Sequence, residues 1–237
     1  MTDLRVSVVI PTLNEARYLP NLLDSLRRQT VHDFEVIVAD SGSTDGTPEV
    51  AVAGGARVVP GKRKGPGEGR NRGAKAARGE MLLFADADCV VPPNVLQVAL
   101  DALRDPTVVG GSTGFMPADG TALDRMLFRF ANTYQHTMTT LGFPHNAGYC
   151  FFFRRHAFER LGGIREDMPL NETHDIALRS RMLGRFVFLP VTVLTSMRRF
   201  RAYGYAQTIL REYVASTLLY YLTGRTPPDK FRPKPAR

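Results

Sequence analysis

Asp86 and Asp88, one residue apart at the end of the apolar run 81–85, bring two carboxylates to the mouth of a strand. Side chains alternate along an extended chain, so these two face one side and Ala87 the other. Charged groups are almost never fully buried without a partner, so such a pair belongs at the exposed end of the strand. Two hard oxygen donors suit Mg²⁺ or Mn²⁺, and an ion of that class takes one or two carboxylates and completes its shell with phosphate. The same three residues in isolation would also make an ordinary solvated turn, so their neighbours decide the meaning.

Other polar residues recur at comparable places. Asp40 closes the apolar run 34–39 and opens a dense turn over 41–47, where its carboxylate either caps the turn or meets a ligand. Asp45 reads as a turn and helix-entry residue. Lys62, Arg63 and Lys64 precede a glycine-rich stretch, a basic loop suited to folding over a diphosphate or to plain solvation. Glu172 and Asp175 lie one helical turn apart on a segment that Asn171 would cap, so they share a face. Asp175 is also spaced to pair with Arg179, while His174 points elsewhere and reads as a surface residue. His145, before Asn146-Ala147-Gly148, reads as a loop histidine.

The elements that must position these residues follow from periodicity. The apolar runs at 6–10 and 81–85 read as buried strands, the first as a central parallel strand buried on both faces, with a second strand at 34–39 and a short third one at 57–59. Helices are expected from Asn14-Glu15 with a stripe at Leu19, Leu22, Leu23 and Leu26, from Pro48, and from the glycine loop up to Arg78. This alternation implies a doubly wound, mostly parallel sheet sandwiched by helices, with ligands outside the carboxyl ends of its strands. Asp40, Asp86 and Asp88 would then meet on one rim. Further on, a helix from Pro92-Pro93 to about Leu103, a strand at 108–115, a helix over 121–141, a strand at 149–153, a helix ending at Gly162-Gly163 and strands near 186–195 are expected. An amphipathic helical segment runs over about 200–222, and the last dozen residues, rich in Pro, Lys and Arg, read as disordered.

The 237 residues carry a formal net charge of +8, which favours polyanionic partners such as phosphates, an anionic membrane surface or nucleic acid. Nucleic acid is set aside for want of a recognition motif or an interleaved aromatic platform. Cys89 and Cys150 have no metal-ligand spacing and read as buried free thiols of a reducing compartment. No signal peptide or membrane-crossing run is visible, so a cytoplasmic location is expected, or attachment to the cytoplasmic face of the membrane.

Taken in order, the segments 8–15, 38–47, 69–73 and 83–88, then Arg160-Leu161-Gly162-Gly163 with 172–179, resemble the family 2 glycosyltransferases. The resemblance implies a GT-A fold over 1–195, with a nucleotide-sugar half (1–115) and an acceptor half (116–195), and leaves 196–237 as an amphipathic tail. It implies a hexosyltransferase that moves a sugar from a UDP- or GDP-sugar to a lipid or glycan acceptor, with inversion, in cell-envelope glycolipid or polysaccharide synthesis. Asp40 would hydrogen-bond the nucleobase, and Pro11, Thr12, Asn14, Glu15 and Ser41 would line the nucleoside pocket. Arg70, Asn71, Asp86, Ala87 and Asp88 would sit at the diphosphate, with Asp88 the more direct metal ligand.

One departure from the family concerns the general base. Many members carry Glu-Asp at the head of the later helix, where this chain has Glu172-Thr173, and threonine cannot serve as that base. Glu172 is then the expected base, with Asp175 the neighbouring acceptor-site carboxylate and His145, Asn146, Gly148 and Tyr149 on the acceptor side. Alternatively, an anionic acceptor such as a polyprenyl phosphate needs no base at all. Arg198, Arg199 and Arg201 beside the aromatic tail are what interfacial binding requires, though the same face suits packing on the domain or on a second subunit in a homodimer. A retaining sugar transferase or a nucleotidyltransferase could occupy the same fold, and so could a non-catalytic basic binding protein.

Overall fold

The computed structural model describes residues 5–226. The expected disordered basic C-terminus lies outside them. Among the described residues, eight strands form one sheet in the order β3-β2-β1-β4-β7-β6-β8-β5. They are β1 (Val6–Thr12), β2 (Phe34–Asp40), β3 (Arg57–Pro60), β4 (Met81–Ala85), β5 (Cys89–Val90), β6 (Val108–Pro117), β7 (Cys150–Arg154) and β8 (Arg185–Thr195). Pairing is parallel through β3, β2, β1 and β4 and again between β6 and β8, while β7 runs antiparallel between β4 and β6.

Helices cover both faces, as the continuous apolar strands require. Alternation along β1 and β4 decides which side each residue serves. Val8, Ile10, Leu83 and Ala85 pack beneath α1 (Leu19–Arg27), α2 (Thr47–Ala53), α4 (Val95–Ala102) and α5 (Ala122–Thr140). Val9, Leu82 and Phe84 face α3 (Pro66–Ala76), α6 (Arg155–Arg160) and α7 (Glu172–Ser180). On that second face Phe84, Phe151, Phe153 and Phe158 form a ring cluster with centroids 4.8–6.2 Å apart. Each such buried ring contributes about 1.5–3 kcal/mol of transfer free energy, so this cluster anchors β4, β7 and α6 as a unit.

Two expectations about helix starts are corrected. The first helix begins at Leu19 rather than at Asn14, because Asn14 adopts a left-handed φ of 59° that breaks regular helix before it starts. Asn171 does precede α7, also at a left-handed φ of 64°, but its side chain caps nothing there and instead bonds Ser216 and Thr226.

The chain from Ser196 onward folds back over the domain as α8 (Arg198–Tyr203), a π-helical segment (Gln207–Ala215) and α9 (Ser216–Thr223). Phe200 packs on Phe128 of α5 at 5.7 Å, the Tyr205 hydroxyl donates to Asp124, and Tyr213 shares a 3.1 Å hydrogen bond with Tyr149. No helix among the described residues is long and apolar enough to cross a membrane.

Candidate active site

The register between β1 and β2 places Thr12 beside Asp40 at the carboxyl ends of both strands. Asp40 is buried and accepts from Thr12 Oγ1 (2.9 Å), Ser43 Oγ (2.5 Å) and the amides of Gly42 (3.0 Å) and Ser43 (2.9 Å). A carboxylate has about four lone-pair sites, so here they are spent on the turn. The two rim loops are laced together by further bonds. The Asn14 amide donates to Ser43 Oγ, Asn14 Oδ1 accepts from Thr44, the Glu15 amide donates to Thr47 Oγ1, and Asp45 accepts from Ala16 and Thr47. Ser41 joins through its amide to the Thr12 carbonyl, and Pro11 packs close to Gly69 of α3.

Arg70 projects from α3 because that helix lies tight on β1. A side chain at Gly73 would come within 2.4 Å of Val9, so glycine is what lets the helix approach. Arg70 is only 4% exposed. Its Nη2 donates to Asp86 Oδ1 at 2.7 Å and its Nη1 to Glu172 Oε1 at 3.0 Å, with the guanidinium 5.7 Å from the Phe151 ring. Burial pushes both carboxyls above their usual range, and Arg70 opposes that shift in each. Asn71, the next residue, is turned to different work. Its amide bonds the Ile164 backbone and Glu166, tying α3 to the loop after α6.

Asp88 is placed by the short β5 strand. Cys89 pairs antiparallel with Thr195, which sets Asp88 against Ser196. Ser196 Oγ donates to Asp88 Oδ2 at 2.6 Å, and Arg198 Nε stands 3.0 Å from the same oxygen. Both nitrogens at the other end of that guanidinium reach Glu15, at 2.7 Å each, and its face lies 4.8 Å from the Tyr18 ring. Of the placements its sequence context left open, Arg198 takes packing on the domain rather than a free position facing a membrane. Its partners, Glu15 and Asp88, lie far upstream in the sequence, where no local pattern announces the pairing.

Asp86 is one-third exposed and Asp88 nearly buried, with Ala87 buried between them. Among the described residues no cluster of three or more His, Cys, Asp or Glu forms a ready-made metal cage. Two carboxylates on an open rim fit an ion that fills its remaining positions with phosphate and water, and do not fit a closed structural site.

On the opposite wall, the expected common face of Glu172 and Asp175 divides into two networks. Glu172 turns to Arg70. Asp175 accepts from Arg179 Nε (2.6 Å) and the Tyr220 hydroxyl (3.0 Å), with Arg165 3.6 Å away, so it links α7 to α9. Thr173 donates to the Asn146 carbonyl and packs on Gly148, whose φ of +89° and crowding by Thr173 exclude a side chain. The Tyr149 carbonyl accepts the Asp86 amide at 3.0 Å, so the 145–149 loop touches the acidic rim directly.

His174 is 1% exposed and is not the surface residue its type suggested. Its ring lies 4.3 Å from that of His145, with Tyr134, Tyr220 and Tyr221 around the pair, and both ring nitrogens of His174 lack partners. Burial depresses the pair, to about 4 for His145 and about 3 for His174. Cys89 and Cys150 are free and buried, as expected, and burial raises the Cys150 thiol to about 12.

Residues 7–162 match the family model for glycosyl transferase family 2. The chain belongs to that family. Over 138 residues it is 36% identical to the PGL/p-HBAD biosynthesis glycosyltransferase of Mycobacterium bovis, covering 52% of this chain and 54% of that one. Over 124 residues it is 28% identical to the glycosyltransferase GlyG of Streptococcus pneumoniae, covering 48% and 41%. The fold matches the mannosyltransferase PcManGT from Pyrobaculum calidifontis, solved with GDP-Man and Mn²⁺, at a TM-score of 0.72 and 27% identity over 94% of this chain and 66% of that one. The GT-A fold is thereby established for this family 2 chain, whose mixed sheet and two helical layers are those of its structural neighbours. The chain spans 31% to 54% of the length of the first curated relatives it matches.

Proposed function

We propose that this chain is a metal-dependent glycosyltransferase that carries a hexose from a UDP- or GDP-sugar to a lipid or glycan acceptor, with inversion, in building cell-envelope glycolipid or polysaccharide. The observation that carries the reading is the joining of Asp86 and Glu172 by Arg70 on the rim formed by Asp40, Glu15 and Asp88. A donor-side acid pair and an acceptor-side carboxylate then lie across one guanidinium. The Mn²⁺ and GDP-Man of the Pyrobaculum enzyme support the donor class.

In this reading Asp86 and Asp88 hold Mg²⁺ or Mn²⁺, which when bound offsets charge on the departing nucleoside diphosphate. Asp40 shapes the nucleoside pocket by fixing its turn, with Thr12, Asn14 and Glu15 beside it. Arg70 keeps Asp86 oriented. Glu172 accepts the proton of an acceptor hydroxyl, and Asp175 positions α7. The 145–149 loop lines the acceptor side. A second reading, an anionic acceptor such as a polyprenyl phosphate that needs no base, is favoured by Thr173 at the expected base position and by the exposed apolar faces of α5 and the extension. Those faces also support peripheral contact with a membrane.

Thermal-shift measurements with UDP- and GDP-sugars, with and without Mn²⁺, test the donor class. A ligand at 100 times its Kd should add about 2.7 kcal/mol of stability, and only with metal. Stabilisation by no nucleotide sugar under either condition would count against the proposal.

A further inference from the structure

Arg198 spends its guanidinium on two rim carboxylates. Nη1 and Nη2 reach the two oxygens of Glu15 at 2.7 Å each, and Nε stands 3.0 Å from Asp88 Oδ2. A planar fork with both ends used in this way is directional and strong, and here it is partly shielded from solvent. Asp88 and Asp86 stand close enough to add to the cost of ionising Glu15, and Arg198 is the cation that offsets it. The same residue opens α8, so the contact that neutralises the rim also fastens the C-terminal extension over it.

A divalent ion on Asp88 would perform the same electrostatic task from nearly the same place. Ser196 and Arg198 both occupy Asp88 Oδ2, so a divalent ion that takes the other oxygen of this carboxylate stands close to the guanidinium and repels it. We propose that Arg198 is an internal cation that latches the extension onto Asp88, and that a divalent ion displaces it and turns the guanidinium, still tied to Glu15, toward the donor's diphosphate. This rests on reading Asp86 and Asp88 as the donor rim. Its consequence is a sign change: Arg198 opposes binding of the metal alone and favours binding of metal with nucleoside diphosphate.

The test uses the full chain and Arg198→Gln, with Mn²⁺ followed by the electron paramagnetic resonance of the free ion, and GDP or UDP titrated calorimetrically in saturating Mn²⁺. Arg198→Gln should bind Mn²⁺ alone about tenfold more tightly, near 1.4 kcal/mol, and the diphosphate about tenfold more weakly. Hydrogen exchange across 196–203 should rise in the parent chain when Mn²⁺ is added. Should Arg198→Gln fold poorly, Ser196→Ala removes a second donor to Asp88 while leaving Arg198 in place, and the Mn²⁺-induced exchange is read there instead. Equal Mn²⁺ affinity in parent and variant, weakening of both ligands together, or no exchange response to Mn²⁺ would overturn the latch. Failure of the parent chain to bind a nucleoside diphosphate at any Mn²⁺ concentration would instead overturn the donor-rim reading, and the latch with it.

Discussion

Asp86 and Glu172 share one buried counter-ion, since Arg70 bonds the first at 2.7 Å and the second at 3.0 Å. A carboxylate that follows β4 and one at the head of α7 are thus held in register by a residue of α3. Removing one partner of a buried pair costs about 3–5 kcal/mol, because the remaining charges lose their compensation. Asp86 is 34% exposed, which lowers its share. Arg70→Met should therefore lose about 3 kcal/mol in urea unfolding, toward the lower end of that range. Arg70→Lys should recover much of this but little activity, because an ammonium cannot span both carboxylates in a fixed plane.

Glu172 is the test of acceptor chemistry. General base catalysis contributes about 10²–10⁴, so Glu172→Gln should lower kcat by that factor while the donor still binds. Burial holds the Glu172 carboxyl above its ordinary 4.5. Activity should fall as pH drops through that raised value, and the acidic limb should vanish from the residual activity of the variant. An unchanged kcat in Glu172→Gln would instead point to an acceptor already carrying its negative charge.

The His145–His174 pair sets an acid limit on stability. Folded values of about 4 and about 3 lie below the ordinary 6.5, so the unfolded chain binds more protons between those limits. The sign follows: the contribution is complete above about pH 6.5 and is lost as pH falls toward 4 and then 3. Each pKa unit corresponds to about 1.4 kcal/mol, so the two depressions together bound the loss at about 8 kcal/mol by pH 3. Burial raises the carboxyls of Glu15, Asp86 and Glu172, and these act in the opposite direction. Comparison with His174→Phe isolates the histidines. Its urea midpoint should equal or exceed the parent's at pH 7, because two unpartnered nitrogens leave the core, and should fall less between pH 6.5 and 4.5.

The run 81–85 was legible because a strand buried on both faces admits only apolar residues, and the aspartates that follow it and the strand at 34–39 had to meet at the carboxyl rim. What was not legible depended on contacts remote in sequence. Arg198 carries the same side chain whether it faces lipid or Asp88, and only the pairing of Cys89 with Thr195 chooses between them. His174 is polar by type, but His145 of the 145–149 loop and Tyr220 and Tyr221 of α9 close over it, with Tyr134 of α5 against His145. Asp175 and Glu172 are one turn apart, yet Tyr220 and Arg179 claim the first and Arg70 the second.

The outer faces of α5 and the extension supply the last prediction. Their inner faces meet through Phe128 and Phe200, whereas Met126 (59% exposed), Phe130 (75%), Leu210 (62%), Leu218 (60%) and Leu222 (83%) face outward. Arg125 and Arg129 stand exposed beside the α5 stripe, and Arg225 follows α9. An apolar stripe bordered by arginine is the arrangement that enters the headgroup boundary of an anionic bilayer, where each basic residue adds about 1 kcal/mol. The chain should float with vesicles containing phosphatidylglycerol, weakly with phosphatidylcholine alone, and less as salt rises. Phe130→Asp and Leu218→Asp should each abolish flotation without lowering the urea midpoint, since neither side chain is buried. If both changes instead convert a dimer to a monomer by light scattering, with vesicle binding absent in the parent, the stripe joins two copies of the chain and the membrane reading falls.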